Sequence, residues 1–317
     1  LRGQASAGLE APMRGLGAAL VAFALSAPPV AAESVGFYFA PPIGSKFVAR
    51  EIQTIELRLG GNRELHTIAA LSTVRIFKEA GLIFVAHRVD ELAASKAGEK
   101  FETPPQVAAM KGSEIVDVLR DDGVLVRVDG YRQIAAKALP KMSGEARSSL
   151  EKFVAEGRQD DADRALWFEV EMLAGQTLDL DRDYWYDAVW SDEKGWMRHQ
   201  TLMRLGPWVT HPTAGRLLTV NIAYVANARA QIAQATRLFP KVKSRLDPLL
   251  PGAIAPGLKL EGGATWLVDP ATLMVWKIQS RRKVSEPRQI SSDLGVTLVT
   301  ETRIEKTLEP APSPAKN

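Results

Sequence analysis

Alternation of apolar and polar positions is the dominant pattern of this chain. From Lys46 to Leu59 the apolar residues Phe47, Ala49, Ile52, Ile55 and Leu57 stand among polar neighbours. Glu64 to Lys78 repeats the pattern with Leu65, Thr67, Ala69, Leu71, Thr73, Val74 and Ile76. Leu82 to Val89 is a third run, with Leu82, Phe84 and Ala86 on one parity and Ile83 and Val85 on the other. Gly60-Gly61-Asn62 and Glu79-Ala80-Gly81 separate the three runs. Runs of period two joined by short glycine turns predict an antiparallel meander, because parallel neighbours need a crossover of a dozen residues or more.

Phe37 to Gly44 leads into this meander as an extended segment, held out of helix by Pro41 and Pro42. Beyond it the pattern fades between Glu91 and Pro105. Glu114–Arg120 and Val124–Val128 then flank Asp121-Asp122-Gly123, an Asp-Gly hairpin signal. A helical block follows. Tyr131, Ile134, Ala138 and Met142 share one face although Pro140 interrupts it, and Leu150, Phe153 and Val154 form a stripe after a Ser143 cap. Asp160 or Asp161 could cap a further helix through Met172, where Leu166, Phe168, Val170 and Met172 also fit a strand. Strands are expected at Thr177–Trp190, Gly195–Leu205 and Arg216–Tyr224, with breaks at Gly206-Pro207 and His211-Pro212. Ala226–Leu250 has helical spacing through Ile232, Ala235, Leu238, Phe239, Val242, Leu246 and Leu249, kinked or split at Pro240. Strands at Gly263–Leu267, Leu273–Arg281 and Gly295–Leu308 close the pattern, and the Pro-rich residues 309–317 read as a disordered tail.

One segment departs from all of this. Met13–Ala32 carries a single charge at Arg14, an apolar run from Leu16 to Leu25, Pro28-Pro29, and small residues before Glu33. That is the layout of a cleavable secretory signal, too short for a comfortable membrane span. It predicts translation from Met13, cleavage after Ala32, and a periplasmic or secreted mature protein without an integral membrane span. The expected organisation is residues 1–32 upstream and signal, 33–308 a single β-rich domain, and 309–317 tail.

Composition narrows the chemistry. The formal charge of +3 is a small excess over many charges of both signs, so there is no footprint for nucleic acid. Cysteine is absent, which removes disulfides, thiol nucleophiles, thiolate metal sites and iron–sulfur clusters. Asp179, Asp181 and Asp183 have the spacing that opens a calcium loop, but Tyr184 and Trp190 occupy the positions where an EF-hand needs Gly and Glu. His66, His87, His199 and His211 form no ligand spacing, although His66 and His87 could meet across neighbouring strands. Tyr184, Trp185, Tyr186, Trp190 and Trp196 cluster in sequence, and alternation favours core packing over a ligand wall. No Gly-x-Ser-x-Gly elbow occurs, and Gly60-Gly61 and Gly262-Gly263 read as turn pairs. No cofactor is called for.

Three stretches carry a resemblance: Phe37-Tyr38-Phe39-Ala40-Pro41-Pro42-Ile43-Gly44 before a long strand; Asp121-Asp122-Gly123-Val124 leading to helices and then Tyr184-Trp185-Tyr186; and Trp266-Leu267-Val268-Asp269-Pro270-Ala271-Thr272-Leu273-Met274. Their order resembles a group of exported bacterial proteins, and the last resembles the strands of LolA-type and LppX-type envelope proteins. The resemblance implies a curved antiparallel half-barrel whose concave face is covered by helices and holds acyl chains.

Together these features predict an α+β fold: a large curved antiparallel sheet with two or three helices packed on one face. The leading function is a non-catalytic envelope protein binding a hydrophobic or amphipathic small molecule, a lipid among them, between sheet and helices. Leu150, Phe153 and Val154 are expected to form one wall, Ile232, Leu238 and Phe239 another, and Trp276 to face them from a strand. A filled structural or interaction module is the alternative, and a hydrolase acting on envelope polymers the third.

Overall fold

Strand pairing brings the two ends of the alternating pattern together. In the computed structural model, which describes residues 33–97, 99–100, 103–155, 167, 170–192, 195–225, 236–237, 259–289 and 295–312, the last long strand lies against the first long one. Leu298 pairs with Leu59 and Pro310 with Phe47, antiparallel throughout.

The strands in chain order are β1 (Ser34–Gly36), β2 (Lys46–Leu59), β3 (Asn62–Glu79), β4 (Leu82–Lys96), β5 (Glu99–Lys100), β6 (Glu114–Leu119), β7 (Leu125–Asp129), β8 (Thr177–Asp179), β9 (Asp183–Asp192), β10 (Gly195–His211), β11 (Gly215–Val225), β12 (Thr236–Arg237), β13 (Lys259–Asp269), β14 (Met274–Gln289) and β15 (Gly295–Pro310). Short helices are α1 (Pro105–Ala108), α2 (Tyr131–Ala138) and α3 (Gly144–Ala155). One sheet of thirteen strands runs in the order β12-β9-β10-β11-β13-β14-β15-β2-β3-β4-β6-β7, with β5 beside β4. Among the described residues its ends, β12 and β7, do not pair, so the sheet is not closed into a barrel. Apart from the short parallel pair β12–β9, its pairings are antiparallel. β1 and β8 make a separate two-stranded sheet. The α+β sheet expected from alternation is therefore present.

The described residues from Ser34 onward pack as one compact unit; residues 1–32, and with them the predicted signal, lie outside the described residues.

Most long strands share one face that carries the buried rows, here called the inner face. Three apolar clusters cover parts of it. Phe37, Met172, Leu173 and Leu178 pack on Tyr184, Met203, Leu205, Leu218, Val220 and Trp266. Phe47, Val74, Ile76, Val85, Leu119, Leu125, Trp276 and Leu308 form a second. Ala109, Ile134 and Ala138 form a third, against which Leu150, Met142 and Ile115 pack. The helices thus sit at the β4–β6–β7 end. The segment before β2 is extended, as expected, and is anchored at its start. Phe37 is fully buried and its backbone bonds to Gln176 and Gly175, while Tyr38 N–H donates to the Pro270 carbonyl.

Several elements differ from the alternation reading. β10 passes through Gly206-Pro207 instead of stopping, because a register shift between Leu205 and Trp208 absorbs the proline as a bulge. β4 continues to Lys96 through another shift opposite Leu71 and Ser72. Gly262-Gly263 is not a turn but the middle of β13. A Cβ at Gly262 would sit 2.0 Å from the Arg281 carbonyl, and one at Gly263 would sit 2.2 Å from the Ile222 carbonyl. Both neighbouring strands approach too closely for a side chain. Within the expected helix Ala226–Leu250, the described Thr236–Arg237 is strand, paired with Tyr184 and Trp185.

The outer face is held by charge. Glu56 of β2 and Glu301 of β15 are in register and buried. Arg58 and Arg63 bond Glu56, the latter by two bonds of 2.8 and 3.1 Å. Arg281 reaches Glu301 by bonds of 2.8 and 3.2 Å, and Arg303 donates to it at 2.8 Å. The Arg281 guanidinium, then that of Arg303, hold the Glu301 carboxyl down at about 2 against its ordinary 4.5, overcoming the opposing effect of burial. Arg58 and then Arg63 lower Glu56 in the same way. Glu56 thus ties β2 to β3 and Glu301 ties β15 to β14, on either side of the β15–β2 pairing.

Candidate ligand-binding face

Cross-strand register builds three rows on the inner face beyond the apolar clusters. One runs Ala264, Ser280, Ile304, Gln53, Ile68 and Ala94. The next runs Gly262, Arg282, Thr302, Ile55, His66 and Lys96. The third runs Leu260, Val284, Thr300, Leu57 and Glu64. Because side chains alternate along a regularly paired strand, these residues share the side on which Phe47, Ala49 and Leu308 close the core. Ile55, Leu57, Ile68, Val284 and Ile304 are half-buried and belong to none of the three buried clusters.

Polar groups border the apolar rows. Lys306 Nζ lies 3.8 Å from Glu51 Oε2 in the row next to Ile304 and Gln53. At the β10–β11 side, Arg282 donates to the Tyr224 hydroxyl at 3.2 Å and lies over its ring, and the His199 ring meets Tyr224 edge-on at 5.0 Å. Thr201, paired with both Tyr186 and Tyr224, is 1% exposed, and its hydroxyl has no hydrogen-bond partner among the described residues. The arrangement offers an apolar bed with cationic and hydroxyl groups along its margins.

Of the residues expected to line a ligand site, Leu150, Val154 and Trp276 have described side chains. Leu150 is half-buried and packs on the small helical cluster. Val154 is half-buried on the same helix. The Phe153 side chain, Ile232, Leu238 and Phe239 lie outside the described residues. Trp276 is a core residue, 9% exposed, edge-on to Phe47 at 5.7 Å and 5.5 Å from the His211 ring. Alternation made Ile55, Leu57 and Ile304 legible as strand residues, but nothing in the sequence marked them as lying beyond the core.

Other constellations do not assemble. His66 pairs with Lys96, whereas His87 stands opposite Val74, eight residues further along β3. Asp179 bonds Ser34 and Arg182, and Asp183 bonds Arg204, so their carboxylates do not converge. Among the described residues no group of three His, Cys, Asp or Glu side chains is placed to hold a metal. Ser113 and Lys137 are 2.7 Å apart, but the ammonium donates and the serine's own proton goes to the Ala109 carbonyl at 2.8 Å. With the hydroxyl buried and spent as a donor, this pair fastens α1 to α2 and is not set up for nucleophilic attack. Tyr184 and Tyr186 are buried in the first cluster, as alternation indicated. Among the described residues no helix is long and apolar enough to cross a membrane.

No family model matches the chain, and no curated protein does. Among solved structures, the crystal structure of MucB in complex with MucA(peri) is similar at 9% identity over 83% of this chain and 94% of that one, with a TM-score of 0.11. A likeness that slight defines no shared fold, and the resemblance to LolA-type and LppX-type proteins is not confirmed by it.

Proposed function

We propose that this chain is a non-catalytic exported envelope protein that holds a hydrophobic or amphipathic ligand, an acyl lipid being the leading candidate, on the inner sheet face formed by β13, β14, β15, β2 and β3. The observation that carries this reading is the set of half-buried apolar side chains Ile55, Leu57, Ile68, Val284 and Ile304 outside the buried clusters. An acyl chain gains about 0.8 kcal/mol per methylene removed from water, so eight methylenes supply about 6 kcal/mol before the costs of association. Lys306 and Arg282 at the margins suit an anionic head group. Export rests on the Met13–Ala32 pattern, and N-terminal sequencing of envelope material should begin at Glu33.

A fluorescent fatty-acid analogue titrated into the mature protein tests the binding claim. Saturable binding that weakens in Ile304→Ser and Leu57→Ser supports it. A wild type that binds no probe overturns it in favour of the second reading, a structural or interaction module. That reading draws on the tight filling of the core, where Met203, Leu205, Leu217, Leu218 and Val268 are essentially inaccessible.

A further inference from the structure

The outer face carries a feature that the ligand reading leaves unused. Arg281 and Arg303 stand directly opposite each other on β14 and β15. Two guanidiniums in register repel, at a separation of roughly 5 Å between their Cβ atoms. They are held side by side because Glu301, buried beneath them, takes the Nε edge of both. A guanidinium has five N–H donors. Arg281 spends two on Glu301, and its side chain remains 61% exposed; that of Arg303 remains 62% exposed. The result is two charged forks, fixed at their bases, with donors left over. Including Arg58 and Arg63, four guanidiniums surround two carboxylates, a local excess of two positive charges.

A groove of about 580 Å³ opens beside these forks. Arg281 and Arg303 line it together with the neutral polar groups of Asn221, Thr265 and Gln279. Gly263, the residue paired with Arg281, has no side chain to fill the groove. Glu305 also lines it, with its carboxylate engaged by Lys277 at 3.6 Å and Gln279 at 3.3 Å.

We propose that this groove binds a tetrahedral oxyanion of the phosphate class, held by Arg281 and Arg303. Two forks from neighbouring strands approach an anion from separate directions, which suits several oxygens around one centre better than a single planar carboxylate. Fixing the arginines in advance lowers the ordering cost of binding.

Inorganic phosphate titrated at low ionic strength, followed by ³¹P line broadening and calorimetry, tests this. Wild-type protein should bind it saturably, and added salt should weaken binding. Arg303→Lys keeps a positive partner for Glu301 but loses the fork. Asn221→Asp places a negative charge in the groove and leaves the Glu301 network untouched. Both variants should bind more weakly, Asn221→Asp by about tenfold, while thermal unfolding stays cooperative near the wild-type temperature. Absence of saturable binding by the wild type, or binding unchanged in both variants, overturns the proposal. Association with phosphatidylglycerol vesicles without binding of free phosphate overturns it too, since the surface would then answer to a membrane and not to a soluble oxyanion.

Discussion

Glu56 and Glu301 face each other across β2 and β15, two carboxylates in direct register, and both are buried. Like charges at paired positions destabilise a sheet. Here four arginines reverse that sign, two from the β2–β3 hairpin and two from β14 and β15. β2 and β15 are the first and last long strands in the chain, so these residues sit on the pairing in the middle of the sheet that joins its N-terminal and C-terminal parts.

Acid should weaken the Glu301 ion pairs in a defined window. Glu301 is held at about 2 in the folded protein against 4.5 ordinarily. A depressed value means the stabilisation is complete above about 4.5 and is lost as the pH falls through about 2. Melting temperature measured from pH 5 to pH 2 should therefore fall more steeply for wild type than for Glu301→Gln, with the two curves converging in acid. Parallel curves would contradict the ion-pair assignment.

Trp276 should behave as core. Its ring is enclosed with Phe47, Leu217 and Leu308. Trp276→Ala should cost about 3–5 kcal/mol in denaturant unfolding, the usual cost of deleting a buried large aromatic. A loss below about 1 kcal/mol would place the ring in a ligand space instead.

Gly262 tests the close approach of β13 and β14. Its φ of +134° and its 2.0 Å clearance to the Arg281 carbonyl leave no room for a Cβ. Gly262→Ala should destabilise by about 2 kcal/mol or more through backbone strain. Hydrogen exchange should show the loss concentrated in β13 and β14. A neutral substitution would refute the packing described.

Much of the sheet was legible. The β2–β3–β4 meander follows from alternation broken by glycine turns, and Asp122-Gly123 marked the β6–β7 hairpin. Alternation assigns a residue to a face and not to a neighbour, so the β15–β2 pairing across most of the chain carried no local signal. Strand ends were underestimated for the same reason: bulges at Gly206-Pro207 and beside Glu91 let strands pass residues that read as breaks. β15 runs to Pro310 for a different reason, because the edge of a Pro-rich segment pairs with Phe47. Gly262-Gly263 read as a turn because flexibility and close approach look alike in sequence. The Glu56–Glu301 network carried no signal in the sequence, since charge alone does not reveal which carboxylates lie beneath arginines. As for the site, helical spacing drew attention to Leu150 and Phe239, whereas the half-buried apolar rows lie on strands that alternation predicted without marking which of their residues extend beyond the core; Val284 alone lies past a predicted strand end.

On the proposed function, the inner face of β14, β15, β2 and β3 holds an apolar chain. A fatty acid bearing a photoreactive diazirine, activated on the mature protein and mapped by peptide mass spectrometry, reads that contact directly. Labelling should fall on the segments around Ile55, Ile68, Val284 and Ile304, and excess unlabelled fatty acid should suppress it. Labelling confined to other segments, or none above a control with unfolded protein, would contradict the account.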